Sequence, residues 1–169
     1  MRPKEPADVE ACVAGLAETH AADRYPLVWP DDPAGWLQPA STLAAWVATA
    51  GDTEATTIAG HVVLRHAVGH VDAPGFAAAT GLAEADHGLI ARLWVTPTWQ
   101  GRGLGRQLLG AAVDEARHRG LHPVLDVLAE STAAIALYES LGWQRVGSRP
   151  LTVSNGTASP MYYYVAPAA

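Results

Sequence analysis

Val95-Thr96-Pro97-Thr98-Trp99-Gln100-Gly101-Arg102-Gly103-Leu104-Gly105-Arg106-Gln107-Leu108-Leu109 carries most of the structural information in this chain. Before it, Leu89 to Val95 is an apolar, strand-like run that Pro97 stops. After it, Leu104, Leu108, Leu109, Ala112, Val113 and Ala116 keep helical spacing until Gly120, a C-cap residue, with Arg117 and Arg119 suited to the negative helix end. Glycines between a strand and a helix let successive backbone N–H groups converge on one point, where the helix dipole adds partial positive charge. That geometry binds phosphate. Arg102 and Arg106 agree with it, because a cation in the first turn of a helix costs about 0.3–1 kcal/mol unless an anion offsets it. A Walker loop is excluded, since Gly105-Arg106-Gln107 has neither its lysine nor its hydroxyl. A dinucleotide-binding turn is the alternative; from Gly101 and Gly103 its third glycine would fall on Arg106, although Asp126 stands where a ribose-binding carboxylate would.

Outward from this turn the pattern gives one element after another. Val9, Cys12, Val13, Leu16 and Ala17 predict an amphipathic helix from Asp8, as N-cap, to His20. Four prolines between Tyr25 and Pro39, among Trp29 and Trp36, predict an aromatic-walled loop or broken helix. Trp46–Thr49 and Thr57–Arg65 read as a hairpin around Ala50-Gly51-Asp52, and His66–Gly88 as an irregular crossover with room for one short helical turn. Downstream, Val124–Leu128 reads as a strand and Thr132–Leu141 as a helix stopped by Gly142. Trp143–Val153 and Met161–Val165 read as a strand pair around Asn155-Gly156. The order is helix, β meander, then β-α-β-α-β-β.

Bulk properties narrow the classes. A chain of 169 residues with 49% hydrophobic and 17% charged residues is expected to be one globular domain, 1–169. No stretch approaches a membrane span, and the charged N-terminus lacks a secretory pattern, which predicts a cytoplasmic protein with no membrane partner. Cys12 is the sole cysteine, read as a buried helix residue. A formal charge of -6 argues against nucleic-acid binding, so an anion site has to be local.

The segment Val95-x-Pro97-x-x-Gln100-Gly101-Arg102-Gly103-Leu104-Gly105-x-x-Leu108-Leu109 resembles the acyl-CoA-binding signature of the GCN5-related N-acetyltransferase (GNAT) family, whose core is Arg/Gln-x-x-Gly-x-Gly/Ala. Ala134-Ile135-Ala136-Leu137-Tyr138-Glu139-Ser140-Leu141-Gly142-Trp143 resembles a second block of that family, at the expected separation. The resemblance implies an α/β (α+β) fold, with a central mixed, mostly antiparallel sheet flanked by helices and splayed at its parallel strand pair. It implies an acetyl-CoA-dependent N-acetyltransferase acting on a primary amine of a small molecule or peptide through a ternary complex, and it is compatible with a homodimer. By the same resemblance Leu93, Trp94 and Val95 would bind the pantetheine arm and thioester through their backbone, and Gln100, Gly101, Arg102, Gly103, Leu104, Gly105 and Arg106 the pyrophosphate. Ser131 stands where many relatives have an asparagine; it either bonds the coenzyme or caps its helix. Tyr138 matches the tyrosine near the coenzyme sulfur, where a phenol can protonate a thiolate, and its other reading is a core tyrosine. A non-catalytic coenzyme-binding sensor is the alternative from another class; it would not need that hydroxyl.

Acetyl transfer also needs a neutral amine and hence a base. Glu84, Asp86 and His87, just before the coenzyme strand, are the base candidates, with Asp126 on the neighbouring strand. Tyr25, Trp29 and Trp36 are candidate walls of the acceptor site, between the 25–39 loop and the 66–88 crossover, and Asp31, Asp32, Glu84 and Asp86 would favour a cationic acceptor. His61, His66 and His70 lack a cysteine or acidic pair to complete a ligand set, so no metal is expected.

Overall fold

The computed structural model describes residues 1–50, 57–152 and 158–168. Seven strands form one sheet in the order β1-β2-β3-β4-β5-β7-β6: β1 Arg2–Pro3, β2 Thr42–Ala50, β3 Thr57–His66, β4 His87–Val95, β5 His122–Leu128, β6 Gln144–Thr152 and β7 Ala158–Val165. The helices are α1 Val9–Asp23, α2 Pro33–Trp36, α3 Ala73–Thr80, α4 Leu104–His118 and α5 Thr132–Ser140. Pairing is antiparallel for β1–β2, β2–β3, β5–β7 and β6–β7 and parallel for β4–β5, which is the mixed, mostly antiparallel sheet flanked by helices that the sequence predicts. The predicted turns at Gly51-Asp52 and Asn155-Gly156 lie outside the described residues. The chain divides into two compact units, residues 1–65 with 90–115 and residues 66–89 with 116–169, so β4 and α4 each contribute to both.

In the first unit, α1 buries Cys12, Gly15, Leu16 and Thr19, a single face at helical spacing. Gly15 allows the helix to lie close to the sheet, since a Cβ there would stand 2.9 Å from Cη2 of Trp94 and 3.1 Å from the Ile58 carbonyl oxygen. Cys12, Leu16, Leu37, Val47, Ile58 and Trp94 form the core. Burial pushes the Cys12 thiol up to about 11, which makes it an inert packing group as expected. Asp8 is not the side-chain cap of α1. The 3₁₀ turn Pro6–Asp8 precedes the helix, and the Asp8 carboxylate instead accepts Nη1 and Nη2 of Arg2, at 2.7 and 2.6 Å, and the Glu5 amide at 2.7 Å. The Arg2 hydrogen bonds hold that carboxyl below its ordinary range and pin the short β1. Ile58 to Leu64 in β3 is buried residue after residue, as a strand covered on both faces should be.

In the second unit, Ala67, Phe76, Leu89, Val124 and Val165 form the core, with Tyr163 packed on it. The parallel ladder pairs His87, Gly88 and Leu89 with His122, Pro123 and Val124. The crossover between β3 and β4 is more ordered than its sequence suggests. Asp72 precedes an eight-residue helix, α3, with Pro74 in its first turn, and Gly81 ends it in the left-handed region at φ 73°. Phe76, fully buried, anchors that helix through its edge-on contact with Tyr163 at 5.8 Å.

Candidate functional site

The glycine turn begins where β4 ends. Pro97–Trp99 form a 3₁₀ turn, Gly101 and Gly103 have φ of 71° and 81°, and the Gly103 carbonyl accepts the Gln107 amide at 3.1 Å, so helical hydrogen bonding starts at Gly103. The N–H groups of the first turn of α4 precede Gln107, the first intrahelical donor. A Cβ built on Gly101 or Gly103 meets no heavy atom within 4 Å. Glycine is needed there for backbone conformation and for an open approach, and packing does not require it. Arg102 is exposed, with its guanidinium 4.6 Å over the Trp99 ring, and Arg106 is exposed on α4. This donor set, with two cations beside a helix N-terminus, fits a pyrophosphate. Gln100 has a different place from its neighbours: its Nε2 donates to Asp23 Oδ2 at 2.7 Å and to the Val95 carbonyl at 3.1 Å, which ties the end of α1 to the end of β4. Of the strand residues, Trp94 is 3% exposed, so its side chain belongs to the core, while Leu93 and Val95 are half-buried.

Tyr25, Trp29 and Trp36 are half-buried and pack against the core of the first unit. Tyr25 meets Trp36 edge-on at 6.1 Å, and Trp29 lies 5.3 Å from the His20 ring. Two of the acidic groups expected to charge this site accept local backbone hydrogen bonds. Asp32 Oδ1 accepts the Gly35 amide at 3.0 Å and caps α2, and Asp86 Oδ2 accepts the Ala83 amide at 3.3 Å within the 3₁₀ turn Glu84–Asp86. The charge that does stand beside these rings is positive: the Arg92 guanidinium lies 4.4 Å over Trp36.

In the second unit, four side chains from three separate segments converge. Asp72, whose side chain is fully buried, accepts Nε of Arg149 at 2.6 Å. His70 Nδ1 accepts the Asp72 amide at 3.3 Å, and its Nε2 stands 3.9 Å from Oδ2 of Asp126. A neutral His70 therefore carries its proton on the nitrogen that faces Asp126. Burial first, and the neighbouring Asp72 charge after it, raise the Asp126 carboxyl above the ordinary range, against His70 and Arg149, which lower it. With 16% of its side chain exposed, Asp126 is reachable. Tyr138, on α5, is 6% exposed and lies 6.0 Å from the rings of both Trp143 and Tyr164. Its phenol is raised by burial and then by the charge of Asp126. Ser131 precedes α5 without a side-chain capping bond, so its hydroxyl does not serve the helix.

The other base candidates do not join this group. Glu84 and Asp86 sit in their own 3₁₀ turn, and His87 is fully buried, with Nε2 2.8 Å from Thr80 Oγ1 and its ring against Phe76 and His122. His87 opens a strand whose first four residues are all buried, so its ring has no outward face to occupy. The structure also corrects the reasoning against a metal. Asp72 and Asp126 supply the acidic pair that spacing did not show, with donor atoms of His70, Asp72 and Asp126 all within 4.8 Å. Arg149 is the cation that pairs with Asp72 there. His61, in the first unit, is stacked on Trp94 at 5.7 Å. Sequence reasoning missed Arg65, Arg92 and the His70–Asp72–Arg149 set; a charged Arg92 in the apolar run Leu89-Ile90-Ala91-Arg92-Leu93-Trp94 was the signal available.

A family model described as "Acetyltransferase (GNAT) family" matches residues 15–143. The chain is 45% identical over 60 residues to the N-alpha-acetyltransferase RimI of Mycobacterium tuberculosis, a match covering 36% of this chain and 37% of that protein. It is 45% identical over 65 residues to the [ribosomal protein bS18]-alanine N-acetyltransferase of Salmonella typhimurium, covering 38% of this chain and 44% of the relative. The chain thus spans less than half the length of either. The structure of Arabidopsis thaliana NAA60 in complex with acetyl-CoA superposes with a TM-score of 0.75 at 20% identity, covering 97% of this chain and 95% of that one. No helix among the described residues is long and apolar enough to cross a membrane.

Proposed function

The chain belongs to the acetyltransferase (GNAT) family, and from that premise we propose that it transfers the acetyl group of acetyl-CoA to a primary amine, with both substrates bound together, as one acyltransferase domain over residues 1–169. The observation that carries this reading is the turn at the head of α4, where left-handed Gly101 and Gly103 leave open space in front of the first-turn amides. Those amides with Arg102 and Arg106 would hold the pyrophosphate, and the backbone of Leu93 to Val95 the pantetheine arm. The coenzyme supplies an activated acetyl thioester. The proton transfers belong to the protein. Asp126 takes a proton from the ammonium so that the neutral nitrogen attacks the carbonyl. As the C–N bond forms and the C–S bond breaks, Tyr138 gives its proton to the departing sulfur, and the proton that the nitrogen sheds restores Tyr138. A base with a raised pKa suits this task, because it is matched to a pH nearer neutrality. The raised Tyr138 phenol stays protonated, and so remains a donor, across the working range.

We take Asp126 over Glu84, Asp86 and His87 as the base because it is part-exposed, stands 3.9 Å from His70 Nε2 and is raised by burial, and because its charge acts on the Tyr138 phenol. The acceptor is a small-molecule or peptide amine. Calorimetry with acetyl-CoA and with NAD, followed by a screen of amines with detection of free thiol, tests the reading. Stoichiometric acetyl-CoA binding, no NAD binding and amine-dependent thiol release are expected. Binding of NAD without acetyl-CoA would overturn it, and acetyl-CoA binding with no thiol release for any amine would favour the sensor alternative.

A further inference from the structure

The unpartnered buried side-chain atoms of the first unit are mostly donors. Among its described residues the buried side-chain polar atoms without a hydrogen-bond partner are His61 Nε2, Arg65 Nε, Arg92 Nη1 and Trp94 Nε1. His61 faces the Arg92 carbonyl oxygen through Nδ1 at 3.2 Å, so Nδ1 carries the proton, and burial, first among the causes, lowers its pKa to about 4. It is neutral and adds no charge. The other three are N–H donors, two of them guanidinium groups close enough for Arg65 to lower the Arg92 pKa. Neither arginine has a carboxylate partner among the described residues. Arg92 is held in a costly conformation: its φ of 55° is left-handed in mid-strand, unusual for a residue with a long side chain. Trp36 covers one face of its guanidinium at 4.4 Å, and the half-buried side chain leaves Nη1 out of water without an acceptor, so the group that satisfies it has to meet the guanidinium edge-on. Arg92 immediately precedes Leu93, the start of the backbone segment assigned to the pantetheine arm.

We infer that the acceptor amine carries a carboxylate, bound by the guanidinium groups of Arg65 and Arg92 beside Trp36. The inference rests on the acetyl-transfer reading above and names its substrate class: amino acids and related amino-carboxylates, whose ammonium is balanced by a carboxylate, in place of the purely cationic amines that the acidic residues of the sequence suggested. A guanidinium edge and a carboxylate match in plane and charge, and a carboxylate supplies the acceptors that Arg65 Nε and Arg92 Nη1 lack.

The test uses the full chain, acetyl-CoA, and matched pairs of probes, namely glycine, L-methionine, L-phenylalanine and L-aspartate, each against its α-carboxamide. Thiol release should favour the free α-carboxylate by about 10-fold or more in kcat/KM, the size expected for a charge-assisted hydrogen bond. Arg92→Gln should erase that preference while Arg92→Lys keeps part of it, and acetyl-CoA affinity should stay within about 2-fold. Arg65→Gln, at the other arginine, reports the same loss if Arg92→Gln does not fold. A second readout needs no turnover: N-acetyl-L-phenylalanine should raise the Tm of the protein more than N-acetyl-L-phenylalaninamide does, and Arg92→Gln or Arg65→Gln should abolish the difference. Equal or better use of the amides in both assays, or a preference that survives both glutamine variants, would overturn the inference. Failure to bind acetyl-CoA would instead sink the transfer reading, with the Tm comparison still deciding the carboxylate site.

Discussion

Gly60→Ala perturbs the seam where β3 lies against β4. A Cβ on Gly60 would stand 2.8 Å from the Trp94 carbonyl oxygen, 2.9 Å from Leu108 Cδ1 and 3.3 Å from Val95 Cγ2. Leu108 and Val95 present side-chain methyls, and Leu108 can rotate, but the Trp94 oxygen is backbone in a sheet strand. Ordinary contact begins at 3.4 Å, so that carbonyl has to retreat by 3.4 minus 2.8, or 0.6 Å. Overpacking of this kind costs about 1–3 kcal/mol, and at about 2–4 °C per kcal/mol for a chain of this size the Tm should fall by about 2–12 °C. The displaced carbonyl belongs to the Leu93–Val95 segment proposed to receive the thioester. Since a 1 Å misplacement can cost about 100-fold, a shift of this size should lower kcat/KM for acetyl-CoA by about 10-fold. Gly110→Ala is the internal control: it lies within α4, a Cβ there meets nothing within 4 Å, and removing a helical glycine should stabilise by about 0.5–1 kcal/mol. Differential scanning fluorimetry and steady-state thiol release measure both effects. A Gly60→Ala protein with unchanged Tm and unchanged kcat/KM would refute the steric reasoning and, with it, the place of Trp94 in the site.

Tyr138→Phe keeps the ring between Trp143 and Tyr164 and deletes the proton donor, so turnover should drop by about 10-fold or more with acetyl-CoA affinity preserved; equal turnover removes Tyr138 from the mechanism. Asp126→Asn should lower kcat by about 100-fold or more and abolish an acid limb that in the parent lies above the ordinary carboxylate range. Because the native Asp126 holds its proton more tightly than the unfolded chain does, its contribution to stability falls as pH rises from the ordinary carboxylate value through the raised native one. The variant should therefore match or exceed the parent in Tm at pH 7 while losing activity, and a Tm loss that grows with pH would contradict this. Gly103→Asp places a Cβ and a negative charge at φ 81° in the pyrophosphate turn and should abolish acetyl-CoA binding in calorimetry with the fold intact by circular dichroism; unchanged affinity would make the turn purely structural.

The elements that can be read from the chain alone are those whose stability is local. The glycine turn, α4 with its Gly120 end and the α5 block with Tyr138 were legible because left-handed glycines, helical spacing and caps depend on residues a few positions apart. The same locality misled at Asp8, where a residue of N-cap type bonds Arg2 from the preceding turn, and at residues 66–88, where α3 holds its place through the tertiary contact of Phe76 with Tyr163. Which charges act together emerges from the folded arrangement. Pairing Asp126 with Tyr163 across β5 and β7 belongs to strand register, and Asp72 and Arg149, brought together beside it, are 77 residues apart in the chain. Arg92 reads in sequence as one cation in an apolar strand; its left-handed backbone, the ring of Trp36 against it and the proximity of Arg65 appear only after folding. The difference is one of range. Dihedral preference and capping are set by immediate neighbours, whereas the pKa of a carboxylate and the demand of a buried guanidinium for an anion are set by the desolvation and charges that distant segments bring to it.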